Sequence, residues 1–139
     1  MVLSCQRSFV VGKMPIATCK IDQLSDDALQ SVRVVSRALW KGQYRLEIGC
    51  RIAEAPGGRV FGHGLAKASG LSDKAVGEEL RRLESAGILL LAPCDDPGQK
   101  RVYFDRVESC YWAGVLALID EIVERAALEV AQATPLRSA

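Results

Sequence analysis

The stretch Leu65-Ala66-Lys67-Ala68-Ser69-Gly70-Leu71-Ser72-Asp73-Lys74-Ala75-Val76-Gly77-Glu78-Glu79-Leu80-Arg81-Arg82-Leu83-Glu84-Ser85-Ala86-Gly87 decides how this chain folds. Residues 65–69 read as a short helix. Gly70-Leu71 reads as a tight turn, because glycine takes a positive φ without steric cost. Ser72 fits the N-cap of a second helix, where its hydroxyl can accept an orphan backbone N–H. Val76, Leu80 and Leu83 recur at four- and three-residue steps and predict one inward face. Gly87 predicts the stop. Two short helices around a glycine turn make a helix-turn-helix unit.

Downstream, Ile88–Ala92 is apolar and strand-like. Asp95-Asp96-Pro97-Gly98 is a reversal, with Pro presetting φ and Gly allowing the turn. Gln99–Phe104 returns with Val102 and Phe104 on one face and Arg101 and Tyr103 on the other. A hairpin directly after a helix-turn-helix is a wing. A last helix is predicted from Asp105, which has capping-box spacing to Glu108. Trp112, Leu116, Ile119, Val123, Ala126 and Val130 form a heptad-like seam along it, widened by Val115, Leu118 and Ile122. So much apolar surface on a terminal helix predicts a partner helix. Thr134-Pro135 should end it.

Upstream, Pro56-Gly57-Gly58 breaks the chain before a short strand, Arg59-Val60-Phe61. A helix is expected from Gln43 to Ala55, with Tyr44, Ile48, Ile52 and Ala55 as its stripe and Glu47 with Arg51 as a surface pair. An earlier helix begins at Ser25, with Asp26 and Asp27 where the helix dipole favours negative charge. Leu29, Val32, Ser36, Leu39 and Trp40 repeat along it, and Gly42 ends it. Arg33, Arg37 and Lys41 form a separate basic row, read as a solvated face. Residues 1–23 show no helical period and are expected as a partly extended arm. The fold class is therefore mainly α (α+β): a winged helix-turn-helix over residues 24–134 with flanking helices, and a loose tail at 135–139.

At 139 residues the chain is sized for one domain, and 49% hydrophobic residues supply a sizeable core. A formal charge of +1 is not that of a strongly basic nucleic-acid binder, so any attraction to DNA must come from local clusters. Five cysteines (Cys5, Cys19, Cys50, Cys94, Cys110) lie far apart, without framework spacing, which argues against a secreted disulfide scaffold. No run approaches a membrane span. Lys13 and Pro15 interrupt the apolar Phe9-Val10-Val11, so no secretory leader is expected and the cytoplasm is the expected compartment. With His63 as the single histidine and no ligand spacing among the cysteines, no metal site is predicted. The cysteines are read as small buried apolar groups, with Cys94 and Cys110 the ones open to a redox role. His63, between Gly62 and Gly64 at a helix start, suits capping or solvent better than catalysis. No catalytic residues and no cofactor are predicted.

From about Gln43 to Phe104 the chain resembles the MarR and ArsR groups of winged helix-turn-helix transcription regulators. The resemblance is carried by Ala55-Pro56-Gly57-Gly58-Arg59-Val60, Leu65-Ala66, Gly70-Leu71-Ser72, Leu80, Leu83-Glu84-Ser85-Ala86-Gly87-Ile88 and the Asp-Pro-Gly wing ending in Lys100-Arg101. It implies a homodimer joined by the terminal helices, with Leu29, Val32, Trp112, Leu116, Ile119, Val123 and Ala126 at the interface. It implies double-stranded DNA as partner, met by Ser72, Lys74, Gly77, Glu78 and Arg81 in the major groove and by Lys100 and Arg101 of the wing. A small-molecule effector and a repressor role are further implications. The sequence departs from the resemblance in the middle of the reading helix, where Ala75, Gly77, Glu78 and Glu79 stand in place of hydroxyl, amide or basic side chains.

Two function classes follow. One is a DNA-reading regulator on a near-palindromic site. The other is a winged-helix dimer serving as a protein-interaction module without sequence-specific DNA binding. Glu78 and Glu79 discriminate, since carboxylates are repelled near phosphates, although one can accept from cytosine N4.

Overall fold

The computed structural model describes residues 19–93, 98 and 101–138, with side chains to residue 132. A 3₁₀ turn over Lys20–Gln23 leads into helix α1 (Asp26–Trp40) and helix α2 (Arg45–Ala53). Strand β1 (Arg59–Phe61) precedes α3 (Gly62–Ser69) and α4 (Asp73–Ser85). Strands β2 (Leu89–Leu91) and β3 (Tyr103–Arg106) follow, then the long helix α5 (Cys110–Ser138). The three strands form one antiparallel sheet in the order β1-β3-β2. Among the described residues no helix is long and apolar enough to cross a membrane.

Local chemistry sets most of these boundaries. Ser25 caps α1 by accepting the Ala28 N–H at 3.1 Å. Gly70 sits at φ 71° after α3, and the Leu71 N–H returns to the Ala66 carbonyl, a left-handed stop that few other residues tolerate. The end of α1 differs from expectation. Lys41, not Gly42, takes the left-handed conformation, at φ 60°. Gly42 is there for space: a Cβ on it would lie 3.0 Å from the Arg45 guanidinium and 3.1 Å from a Glu79 carboxylate oxygen.

The wing's return strand is also displaced from the sequence reading. β3 begins at Tyr103 and includes Asp105 and Arg106, so Asp105 caps no helix. It lies opposite Arg59 in the β1 register and accepts from its guanidinium at 2.7 and 2.9 Å, which lowers its pKa. The strand wins because β1 otherwise has no partner. Helix α5 starts at Cys110 instead, where Ser109 Oγ accepts the Tyr111 N–H, and it continues beyond Pro135.

Two apolar clusters hold the molecule. One joins Ile48 and Ile52 of α2 to Leu65, Val76, Leu80, Leu83, Leu89 and Trp112, under the winged unit. The other joins Ile21, Val32, Leu46 and Cys50 to Val115, Ile119 and Ile122, between α1, α2 and α5. Helix α2 contributes to both and is the spine of the fold. Its C-terminal carbonyls are closed by Arg106, whose Nη1 donates to Ile52, Ala53 and Ala55 at 2.7 to 3.2 Å. A cation there suits the negative end of the helix dipole.

The charged residues of α1 and α2 pair differently from the helical-spacing expectation. Glu47 is 1% exposed and bonds Arg33 in a two-pronged pair at 2.8 and 3.1 Å, raising the Arg33 pKa. Arg51 reaches Asp22 of the 3₁₀ turn at 2.6 Å. Tertiary partners have displaced the surface pair, and Arg33 has left the solvated row.

Candidate nucleic-acid interface

Helix α4 is built to present one face. Ser72 Oγ caps it by accepting the Ala75 N–H at 3.1 Å. Val76, Leu80 and Leu83 are buried against the core. Glu79 fixes the rotation: its carboxylate is buried and accepts from Arg45 Nε at 2.9 Å and Arg82 Nη1 at 3.3 Å. The expectation that Glu79 lies on the outward face is therefore corrected. It is an internal bolt between α2 and α4, and Glu78 alone is the exposed carboxylate in the middle of the helix.

Ser72, Lys74, Glu78 and Arg81 all face solvent, as the reading-helix assignment requires of them, and Gly77 lies half-buried between them. Across a cleft of 610 Å³ stands the wing. Phe61, Leu80 and Phe104 line the cleft with apolar surface, and Arg81, Glu84 and Arg101 bring charge to it. Arg101 is placed by stacking on the Phe61 ring, 4.4 Å from its centre, and by Nη1 to Tyr103 Oη at 3.4 Å. Phe61 in turn meets Tyr103 edge to face at 5.4 Å. Lys100, Cys94 and the Asp95-Asp96-Pro97 turn lie outside the described residues.

The charge on this side is mixed. Lys67, Lys74, Arg81 and Arg101 are exposed, against exposed Asp73, Glu78 and Glu84. Asp73 sits in the first turn of α4, where the helix dipole favours it, 3.1 Å from exposed His63. His63 is thus a solvent-facing partner of an N-terminal acid.

Gly77 is the weak point of α4. A Cβ there meets nothing within 4 Å. Gly77→Ala should stabilise the fold by about 1 kcal/mol, since alanine is the better helix former, raising Tm by about 3 °C. A calorimetric scan checks this. An unchanged or lower Tm would show that α4 needs the freedom of glycine.

The residues assigned to a dimer seam divide. Val32 and Ile119 are fully buried and Trp112 nearly so within a single chain. These three pack in the chain's own core. Leu29, Leu116, Val123 and Ala126 are half-buried at its margin. More than half exposed are Val34 and Leu39 on α1 and Leu128 and Val130 on α5; Leu39 and Val130 belong to the expected apolar rows, whereas Val34 and Leu128 fall outside them.

No protein-family model matches the chain, and no curated protein matches it. Solved structures do. AbsC, a MarR family transcriptional regulator from Streptomyces coelicolor, aligns over 83% of this chain and 90% of its own, at 19% identity and a TM-score of 0.55. The AntR antimony-specific transcriptional repressor aligns over 85% of this chain and 98% of its own, at 22% identity and a TM-score of 0.44. NadR in complex with 4-hydroxyphenylacetate aligns over 87% and 86%, at 19% identity and a TM-score of 0.45. The latter two scores are too low to add to the comparison with AbsC. With its capped α4, its three-stranded sheet and its flanking helices, the chain has a MarR-like winged-helix fold.

Proposed function

We propose that the chain is a DNA-binding transcription regulator, a repressor that acts as a homodimer on a near-palindromic site. One observation carries this reading. Helix α4 is locked in rotation by Glu79 and turns Ser72, Lys74, Glu78 and Arg81 outward, opposite an arginine held on the wing. A major groove about 12 Å wide admits such a helix. Lys74 and Arg81 would meet phosphates or guanine edges, and Glu78 would accept from a cytosine amino group. Gly77 would let the backbone approach closely. Arg101, with Lys100, would touch the backbone or minor groove.

The fold shared with AbsC supports this reading. So does the exposed apolar surface of α1 and α5, where Val34, Leu128 and Val130 would pack against a second copy beside Leu116, Val123 and Ala126. A two-fold pair would set the two α4 helices about 34 Å apart, one turn of DNA. The apolar cleft between α4 and the wing offers room for a small effector whose occupancy would compete with DNA. The protein-interaction alternative rested on two outward carboxylates, and Glu79 is now spent inside the protein.

The test is selection of bound genomic fragments followed by fluorescence anisotropy across a salt series. Affinity for the selected site should fall steeply with salt as counterions are released. Arg81→Ala and Arg101→Ala should each weaken it by about 5- to 150-fold, from about 1–3 kcal/mol per contact. No preferred site at low salt, or variants that bind like the parent, would sink the proposal. Sedimentation at micromolar concentration must show a dimer.

A further inference from the structure

Away from the winged face, the fold brings together three side chains that are remote in sequence. Cys19 precedes the 3₁₀ turn, Cys50 lies in the middle of α2, and Glu54 follows its last turn. The two sulfurs are 3.9 Å apart. Glu54 Oε1 lies 3.1 Å from the Cys19 sulfur and 3.8 Å from that of Cys50. In a tetrahedral zinc site, metal–sulfur bonds of about 2.3 Å and metal–oxygen bonds of about 2.0–2.2 Å put sulfurs about 3.8 Å apart and sulfur and oxygen about 3.5 Å apart. The triangle found here is one face of that tetrahedron to within a few tenths of an ångström.

We propose that Cys19, Cys50 and Glu54 form a binding site for a thiophilic divalent cation of the zinc type. Sulfur as the majority donor disfavours magnesium and calcium, which take oxygen shells. Cys50 is fully buried, whereas Cys19 is half-buried and Glu54 is exposed, so the site has a dry floor and an open mouth. The mouth supplies the fourth position, for water or another small ligand.

The surroundings orient the donors as they do around structural metals. The Lys20 backbone N–H donates to Glu54 Oε1 at 2.8 Å and aims the carboxylate. The Lys20 ammonium is tied to Asp120 of α5 at 2.7 Å, which fastens the turn carrying Cys19. The balanced step is one divalent cation plus two thiols giving a dithiolate complex and two protons released to solvent. Two thiolates, a carboxylate and a dication leave one net negative charge, which Lys20 faces.

The experiment uses the full chain, reduced, with five free thiols confirmed by titration. Cobalt(II) is the probe, followed by competition with zinc(II). The expected result is one equivalent per chain, the intense absorption of a cobalt–thiolate bond, and about two protons released per metal. Cys19→Ser should abolish the thiolate signature. Glu54→Gln should weaken binding by at least about tenfold. Cys50→Ser, at a fully buried position, is the variant at risk of misfolding, so Cys19→Ser is the deciding one. A chain with Cys5, Cys94 and Cys110 all changed to Ser should bind like the parent. No uptake by the reduced chain, or uptake untouched by Cys19→Ser, overturns the proposal. The readout is metal alone, so its failure leaves the DNA-reading proposal standing, and the reverse also holds.

Discussion

Arg33→Ala is expected to destabilise the protein by about 3–5 kcal/mol, the range for stripping one partner from a buried ion pair. Glu47 has 1% of its side chain exposed, and among the described residues both of its carboxylate oxygens are satisfied by the Arg33 guanidinium. Without Arg33 the carboxylate stays where α2 puts it, between α1 and the core, with no donor. The guanidinium also stacks 5.1 Å from the centre of the Tyr44 ring, so packing is lost as well. Urea unfolding measures the effect. Replacing both members, Arg33→Leu with Glu47→Leu, should recover most of the loss, because the penalty comes from the stranded charge and not from the missing attraction. A single mutant that unfolds at the parent's urea midpoint would mean that water reaches Glu47.

Trp112→Ala is expected to cost about 3–5 kcal/mol in the folding of the single chain. The indole is buried under the winged unit, packs edge to face on Tyr111, and donates from Nε1 to the Val107 carbonyl at 2.8 Å. It anchors the start of α5 to the connection leaving the wing. Trp112→Phe should keep most of the packing and lose about 1 kcal/mol with the hydrogen bond. The measurement that separates this role from a place in a dimer seam is unfolding at several protein concentrations. A core residue shifts every curve by the same amount. A variant that folds normally but associates more weakly would return Trp112 to the interface.

How much was legible in the sequence depended on how local the cause was. The serines that cap α1 and α4 were legible because a cap is settled within three residues. So was Gly70, where the backbone needs a left-handed residue. The strand Arg59–Phe61 could be placed, but its partner could not. Asp105 has the spacing of a helix cap, and only the register with Arg59 shows that it belongs to the sheet. The acids were misread for a similar reason. Glu47 and Glu79 each have an arginine within helical reach in sequence. Glu47 ignores Arg51 for Arg33, fourteen residues earlier, and Glu79 takes Arg45, thirty-four residues earlier, as well as its neighbour Arg82. Charge on a helix therefore counts toward a binding face only after its partners are known. For α4 it takes Glu79 off the outward face and leaves Glu78 as the exposed carboxylate in the middle of the helix. Ser72, Lys74, Glu78 and Arg81 were expected outward from the resemblance and face solvent, whereas Glu79, expected on the same face, is buried. The Cys19–Cys50–Glu54 cluster was not legible, because two of its members are thirty-one residues apart and meet only when the 3₁₀ turn lies against α2.

Ser36 has a consequence for how this chain can vary. Its hydroxyl is buried between α1 and α2, donating to the Gly42 carbonyl six residues on and accepting the Leu46 N–H ten residues on. A connector of this kind would ordinarily absorb inserted residues at little cost, as surface loops do. Here the two bonds act as a ruler. One added residue between Trp40 and Arg45 strands either a buried carbonyl or a buried amide, whichever end slips. Length changes among descendants of this sequence should therefore collect elsewhere and spare this corner, while the identity of its outward side chains drifts freely.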